Sequence, residues 1–340
     1  MKPTLPDNDI PGAAASSLST PKVSIILCTK NRAASLDETL NSMQGVTVPP
    51  GLQVELVLVD NGSTDRTASI IERHLSRSHI PIRAVVEPVE GKSHALNAGI
   101  QAAHGEILLF TDDDLRFPGN WVSGMIAPIL SGEADFVQGG IRWSTELLAQ
   151  IPTGSYLPRL VASTPHKGAA ELRVGLIGAN MAIRRDAILS AGGFDEALGP
   201  GALGLGEETL LAFQLVRLGY RKILALDVEV EHHFDPIRLT SIGINAMARS
   251  KGRSLGYIDY HWNHQRPPSA WFALLLKSKL LIRTLCTPSA WSSNACMPEW
   301  KLSYLASLAR HGQMLKEAKQ RPKYNRSQLA PEQAVPNTLV

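Results

Sequence analysis

Three consecutive aspartates, Asp112, Asp113 and Asp114, follow the apolar run "EILLFT", and Pro118, Gly119 and Trp121 lie a few residues further on. Two carboxylates about 4 Å apart repel by roughly 4 kcal/mol at an effective dielectric near 20. A proton, a basic side chain or a cation must offset that repulsion. Oxygen ligands of this kind suit magnesium or manganese, which keep waters and bridge to substrate phosphates. The chain has neither a GxxxxGK[ST] loop nor a GxGxxG after a strand, so no backbone cradle for phosphates is expected. A metal is therefore expected to do most of the neutralising. The competing reading is a solvated acidic turn. It is weakened by a second acid, Asp60, which ends another apolar run.

Two further groups carry possible chemistry. Glu207 and Glu208 open "EETLLAFQLVRLGY", either as an ordinary acidic first turn suited to the helix dipole or as a general base. His232 and His233 close "ILALDVEVEHH". A histidine there is more often structural, but the alternating run delivers the pair to a sheet edge.

These residues need elements to place them. "VSIILCT" (23–29), "VELVLVD" (54–60), "IRAVVE" (82–87) and "EILLF" (106–110) read as strands separated by helices. Ser35 and Glu38 form a capping box before an apolar face of Leu36, Leu40 and Met43. Ala68, Ile71 and Leu75 should face inward on the next helix. Leu96, Ile100 and Ala103 define a third, with Gly105 as its stop, and Leu211, Leu215 and Leu218 a later one closed by Gly219. Leu224, Leu226, Val228, Val230 and His232 should share one strand face. Strand–helix alternation predicts an α/β fold with a mainly parallel sheet, whose ligands gather at the strands' carboxyl ends. Asp60 and Asp112–Asp114 are then on one rim.

In order and spacing, "VSIILCTKNR", "LVLVDNGSTDRT", "GKSHALNAGIQAAHGEILLFTDDD", "GANMAIRR", "GGFDE" and "GEETLLAFQLVRLGY" resemble family 2 glycosyltransferases over roughly residues 21–235. The resemblance implies a GT-A fold and an inverting enzyme that uses a nucleotide-diphosphate sugar, typically a UDP-sugar. Its acceptor would be a glycan or lipid-linked hydroxyl, as in polysaccharide or cell-envelope synthesis. Thr29, Asn31 and Arg32 would line the nucleotide pocket, Asp60 and Asn61 would meet the base, and Lys92 and Asn97 would close over the nucleotide. Asp112 and Asp114 would hold a divalent magnesium or manganese ion, with Asp113 toward the donor. His232 is the expected third metal contact, and His233 the alternative. Glu208 stands at the general-base position beside Glu207, where the family usually has Glu-Asp. Trp121 and Trp143 would flank an acceptor sugar or pack in the core. Alternatives are a sugar-1-phosphate nucleotidyltransferase, opposed by the loop "CTKNRAAS", and an inactive sugar-nucleotide-binding module, opposed by the intact acidic sets.

Three cysteines without ligand spacing, no signal-type N-terminus and no apolar run of membrane-spanning length point to a cytoplasmic protein. Residues 1–20 read as a disordered leader, 21–250 as the GT-A domain and 251–340 as a basic extension. The extension has 13 Lys/Arg against 4 Asp/Glu and four of the six tryptophans, whereas the preceding 250 residues have 21 against 27. In it, Trp271, Leu274, Leu275, Ser278, Leu281, Ile282 and Leu285 form one helical stripe, with Lys277, Lys279 and Arg283 off it. That stripe either packs on the catalytic core or lies on an anionic membrane as a peripheral anchor on its inner face. No nucleic-acid module accompanies the charge, so no nucleic-acid partner is expected.

Overall fold

The structure is a computed structural model and describes residues 22–151, 160–164, 175–287 and 298–324. The expected leader lies outside them. The first half alternates as the apolar runs predict: β1 (Lys22–Thr29), α1 (Ala33–Met43), β2 (Gln53–Asp60), α2 (Thr67–Leu75), β3 (Ile82–Val86), α3 (Lys92–Ala102) and β4 (Ile107–Thr111). A two-residue strand β5 (Leu115–Arg116), α4 (Trp121–Leu130), β6 (Phe136–Trp143) and a short α5 (Thr145–Leu148) follow. Then come β7 (Asn180–Arg184), α6 (Arg185–Ser190), α7 (Glu207–Arg217) and β8 (Lys222–His232). Among the described residues three long helices follow: α8 (Ser241–His261), α9 (Ala270–Leu285) and α10 (Glu299–Glu317).

One eight-stranded sheet runs in the order β3-β2-β1-β4-β7-β6-β8-β5. β1 is parallel to both β2 and β4, and β6 is parallel to β8. β7 is antiparallel to β4 and β6. Central strands buried on both faces read as continuous apolar runs, and Ile25, Ile26, Leu27, Leu56, Val57 and Leu58 are fully enclosed. The expected α/β fold with a mainly parallel sheet is observed, four of its seven strand pairings being parallel.

Several local expectations fail for identifiable reasons. Ser35 does not cap α1: its hydroxyl donates to the Asp113 carbonyl at 2.7 Å, and Glu38 pairs instead with Arg116. On α2, Thr67, Ile71 and His74 face inward, while Ala68 and Leu75 are exposed. The His74 ring is usable inside because Asp37 meets its Nε2 at 2.7 Å. Gly105 is not a helix stop either. It lies where a Cβ would run into the Ser24 backbone, and its N–H donates to Ser24 Oγ. Leu218 is exposed, although Gly219 does end α7 with φ +86°. In β8 a register break opposite Gly139 and Gly140 reverses the alternation, so Leu224 and Leu226 are exposed while Val228, Val230 and His232 are buried. Trp121 and Trp143 both lie in the core, donating to Asn180 Oδ1 and the Ala162 carbonyl.

Asn180 is a buried hub that sequence reasoning missed. Its Nδ2 donates to the carbonyls of Gly140 (2.8 Å) and Val228 (2.9 Å), and its Oδ1 accepts the Trp121 indole N–H (2.9 Å). Asn180→Ala leaves three buried groups unpaired, each costing about 1–3 kcal/mol. A loss of at least about 3 kcal/mol in urea unfolding is expected, and a loss below about 1 kcal/mol would show that these bonds do not hold the bulge.

α8 runs through residue 250, so the expected division between a 21–250 domain and a 251–340 extension falls inside a helix. Gly252 and Gly256 let α10 approach closely: a Cβ at either would strike the backbone of Ala306 or Arg310. Asp195 then ties the end of this region to the sheet half, accepting from Tyr257, Tyr324 and Lys323.

Candidate active site

The register of β1 with β2 sets Thr29 beside Asp60, and that of β1 with β4 sets Leu27 beside Thr111. Asp112–Asp114 therefore emerge over the carboxyl end of β1. Thr29 Oγ1 donates to Asp113 Oδ2 at 2.7 Å. Arg32 reaches Asp113 Oδ1 through Nε (3.1 Å) and Asp114 Oδ2 through Nη2 (2.9 Å), and Lys92 Nζ meets Asp112 Oδ1 at 2.6 Å. Arg32 and Lys92 pair with all three carboxylates.

The titration of the aspartates follows from those contacts. Burial pushes Asp113 up to about 7, helped by the carboxylates on either side and opposed by Arg32. Burial would also raise Asp114, but His232 and Arg32 outweigh it and hold that carboxyl well below its usual range. For Lys92, burial works against the charge, yet Asp112, Glu207 and Glu208 raise its pKa above the ordinary lysine value. Lys92 thus bridges the two acidic sets electrostatically.

β5 explains how His232 arrives. Leu115 pairs with His232 across the β5–β8 ladder, and the His233 N–H donates to the Asp114 carbonyl at 2.8 Å. His232 is buried, with Nε2 3.4 Å from Asp114 Oδ1 and Nδ1 3.2 Å from the Ala162 carbonyl. A carbonyl can only accept, so Nδ1 carries the proton in that bond, which turns Nε2 toward Asp114. His233 turns away to Glu231, 2.7 Å distant. Asp114 Oδ1 is buried and makes no hydrogen bond.

That orphaned oxygen beside an imidazole nitrogen fits a divalent ion. Among the described residues no group of three or more His, Cys, Asp or Glu forms a metal cluster. Magnesium-type sites commonly use one or two protein ligands and complete the shell with substrate phosphates and water, and Asp114 with His232 matches that pattern. Asp112, the other aspartate expected as a ligand, meets Lys92.

α7 supplies the second acidic set. Its N-cap, Gly206, has φ +95°, in the left-handed region that favours glycine. Glu207 is buried, and burial followed by the Glu208 charge raises its pKa well above the usual range, against Lys92. Glu208 is half-buried: Oε1 accepts the Gly178 N–H at 3.3 Å, and Oε2 has no partner. Both glutamates line the cleft that holds the aspartates.

The cleft measures about 800 Å³ and is also lined by Thr29, Arg32, Asn61, Lys92 and His232. Three expected donor residues do not line it. Asn31 has φ +52°, and its Oδ1 accepts from Thr64 and Asp65 N–H groups. Asp60 accepts the Ser63 N–H at 2.9 Å. Asn97 exchanges hydrogen bonds with the Phe194 backbone. Each ties one loop to another. Asn61 does so as well, donating to the Glu87 and Val89 carbonyls, yet it still borders the cleft. Conversely, Arg238 and the α8 residues Met247, Ser250, Lys251 and Ser254 line the cleft without having been singled out. They lie beyond the last recognisable motif, Arg238 just before the long helix and the others on it.

Residues 24–190 match glycosyl transferase family 2. That match covers just under half of the chain, and the likeness to solved glycosyltransferase structures shows a GT-A fold. Glycosyltransferase AglE of Haloferax volcanii is 30% identical over 125 residues, covering 36% of this chain and 40% of that protein. An undecaprenyl-phosphate 4-deoxy-4-formamido-L-arabinose transferase of Shewanella sediminis is 31% identical over 112 residues, 32% of this chain and 34% of its own. The chain thus spans less than half the length of these curated relatives. Among solved structures, the mannosyltransferase PcManGT from Pyrobaculum calidifontis, in complex with GDP-Man and Mn2+, aligns over 87% of both chains at 21% identity and TM-score 0.57.

Proposed function

We propose that the protein is an inverting, metal-dependent glycosyltransferase. It would move a sugar from a nucleotide-diphosphate donor to a hydroxyl of a glycan or lipid-linked acceptor. The observation that carries this reading is one cleft holding both an Asp114–His232 pair with an orphaned carboxylate oxygen and a Glu208 carboxylate with a free oxygen. Arg32 and Lys92 border the same space and would receive the diphosphate as it exchanges for their aspartate partners. Asp114 and His232 would hold a magnesium or manganese ion, which supplies Lewis-acid stabilisation of the charge on the leaving diphosphate.

In the reaction, Glu208 Oε2 takes the proton of the acceptor hydroxyl. The acceptor oxygen forms its bond to the anomeric carbon while the bond from that carbon to the phosphate oxygen breaks, with inversion. Glu207 lies beside Glu208, and burial favours its neutral form. A lipid-linked acceptor is supported by the undecaprenyl-phosphate relative. UDP is the donor nucleotide that the family resemblance favours, whereas the aligned mannosyltransferase holds GDP-Man. Thermal denaturation with UDP- and GDP-sugars, with and without manganese, tests the reading. Stabilisation by one donor that manganese enhances is expected, and no stabilisation by any nucleotide-diphosphate sugar would overturn it.

A further inference from the structure

The stripe on α9 faces outward. Trp271, Leu274, Leu275, Leu281, Ile282 and Leu285 are each between 53 and 75% exposed, although such residues normally cover a core. At about 100° per residue they occupy one arc of about 120°, centred on the exposed Ser278. The opposite face is the attached one. There Phe272 stacks on His311 of α10 at 4.9 Å, Arg283 lies 4.6 Å above the Trp300 ring, and Leu276 and Leu280 are half-buried. α9 is thus fastened by its back, and nothing among the described residues covers its front.

We propose that this front is an interfacial anchor that lies in the surface of an anionic lipid bilayer. Charge placement selects this occupant. Lys277 and Lys279 are exposed and fall about 40° outside the two edges of the stripe, one on each side. In that position their stems can lie along the apolar surface while the ammonium groups reach lipid phosphates. α9 contains no acidic residue. Among the described residues no helix is long and apolar enough to cross a membrane, so α9 would lie along the surface and not span it. Arg283, expected from sequence to act with the two lysines, is engaged with Trp300 and belongs to the attached face.

The anchor goes beyond the transfer chemistry and does not depend on it. The test is flotation of the full chain with vesicles of phosphatidylcholine, with and without phosphatidylglycerol. Wild type should float with the anionic vesicles and be partly released as salt rises. Leu275→Asp with Ile282→Asp should remain at the bottom, and Lys277→Glu with Lys279→Glu should bind the anionic vesicles about tenfold more weakly or worse. Both variants should keep the wild-type thermal midpoint, since the substituted positions are exposed. Wild-type protein that stays at the bottom with anionic vesicles overturns the proposal. So does a stripe-dependent dimer that binds no vesicles, because a second copy would then be the occupant. Nucleotide-sugar stabilisation of the lipid-free protein is scored separately, so failure of the anchor and failure of the catalytic reading remain distinguishable.

Discussion

Glu208→Gln should lower sugar transfer by about 10²–10⁴, the range typical for loss of a general base, and leave donor affinity close to wild type. The amide keeps the shape of the side chain and can still accept the Gly178 N–H, so the local fold should persist. What it loses is the ability to take a proton. Donor hydrolysis, with water replacing the acceptor hydroxyl, reads out the same step when the acceptor is not in hand. Glu207→Gln makes the informative comparison. Burial already favours the neutral form of Glu207, so its replacement should cost far less. If Glu207→Gln were the inactive variant and Glu208→Gln the active one, the base would have to be reassigned.

Asp114→Asn should weaken nucleotide-sugar binding by about 100-fold or more in manganese, at the upper end of what metal-site substitutions cost. Without added metal it should change binding little. The variant removes the charge that faces His232 and keeps a side chain of the same size at a buried position. Arg32 retains Asp113 as a partner, which limits structural damage. His232→Ala should act in the same direction, because the two residues form one site. Isothermal titration with and without manganese separates the outcomes. Equal affinity in both conditions, for wild type and variant alike, would show that the pair holds no metal.

The parts of this arrangement that could be read from sequence are those set by local patterning. β1, β2 and β4 are continuous apolar runs because the sheet is covered on both faces, and their acidic ends fall on the rim for the same reason. The long-range pairings could not be read in that way. Nothing local indicates that two residues after the aspartates, Leu115 and Arg116, would form a strand against the end of β8 and so carry His232 to Asp114. Nor does spacing show that Arg32 and Lys92 turn back onto the acids. Asn31, Asp60 and Asn97 match the family motifs, yet they bind neighbouring loops. Periodicity located the apolar stripe on α9 correctly but could not tell which side of the helix would be covered, since amphipathicity fixes a face and not its partner.

The chemistry itself is tested most directly by following phosphorus NMR of UDP- and GDP-sugars incubated with the enzyme and manganese. A nucleoside diphosphate should accumulate from one of the donors, with the free or transferred sugar as co-product, and Glu208→Gln should abolish it. Products that instead mark cleavage between the phosphates, or formation of the sugar nucleotide from a nucleoside triphosphate and a sugar phosphate, would contradict glycosyl transfer and point to a nucleotidyltransferase.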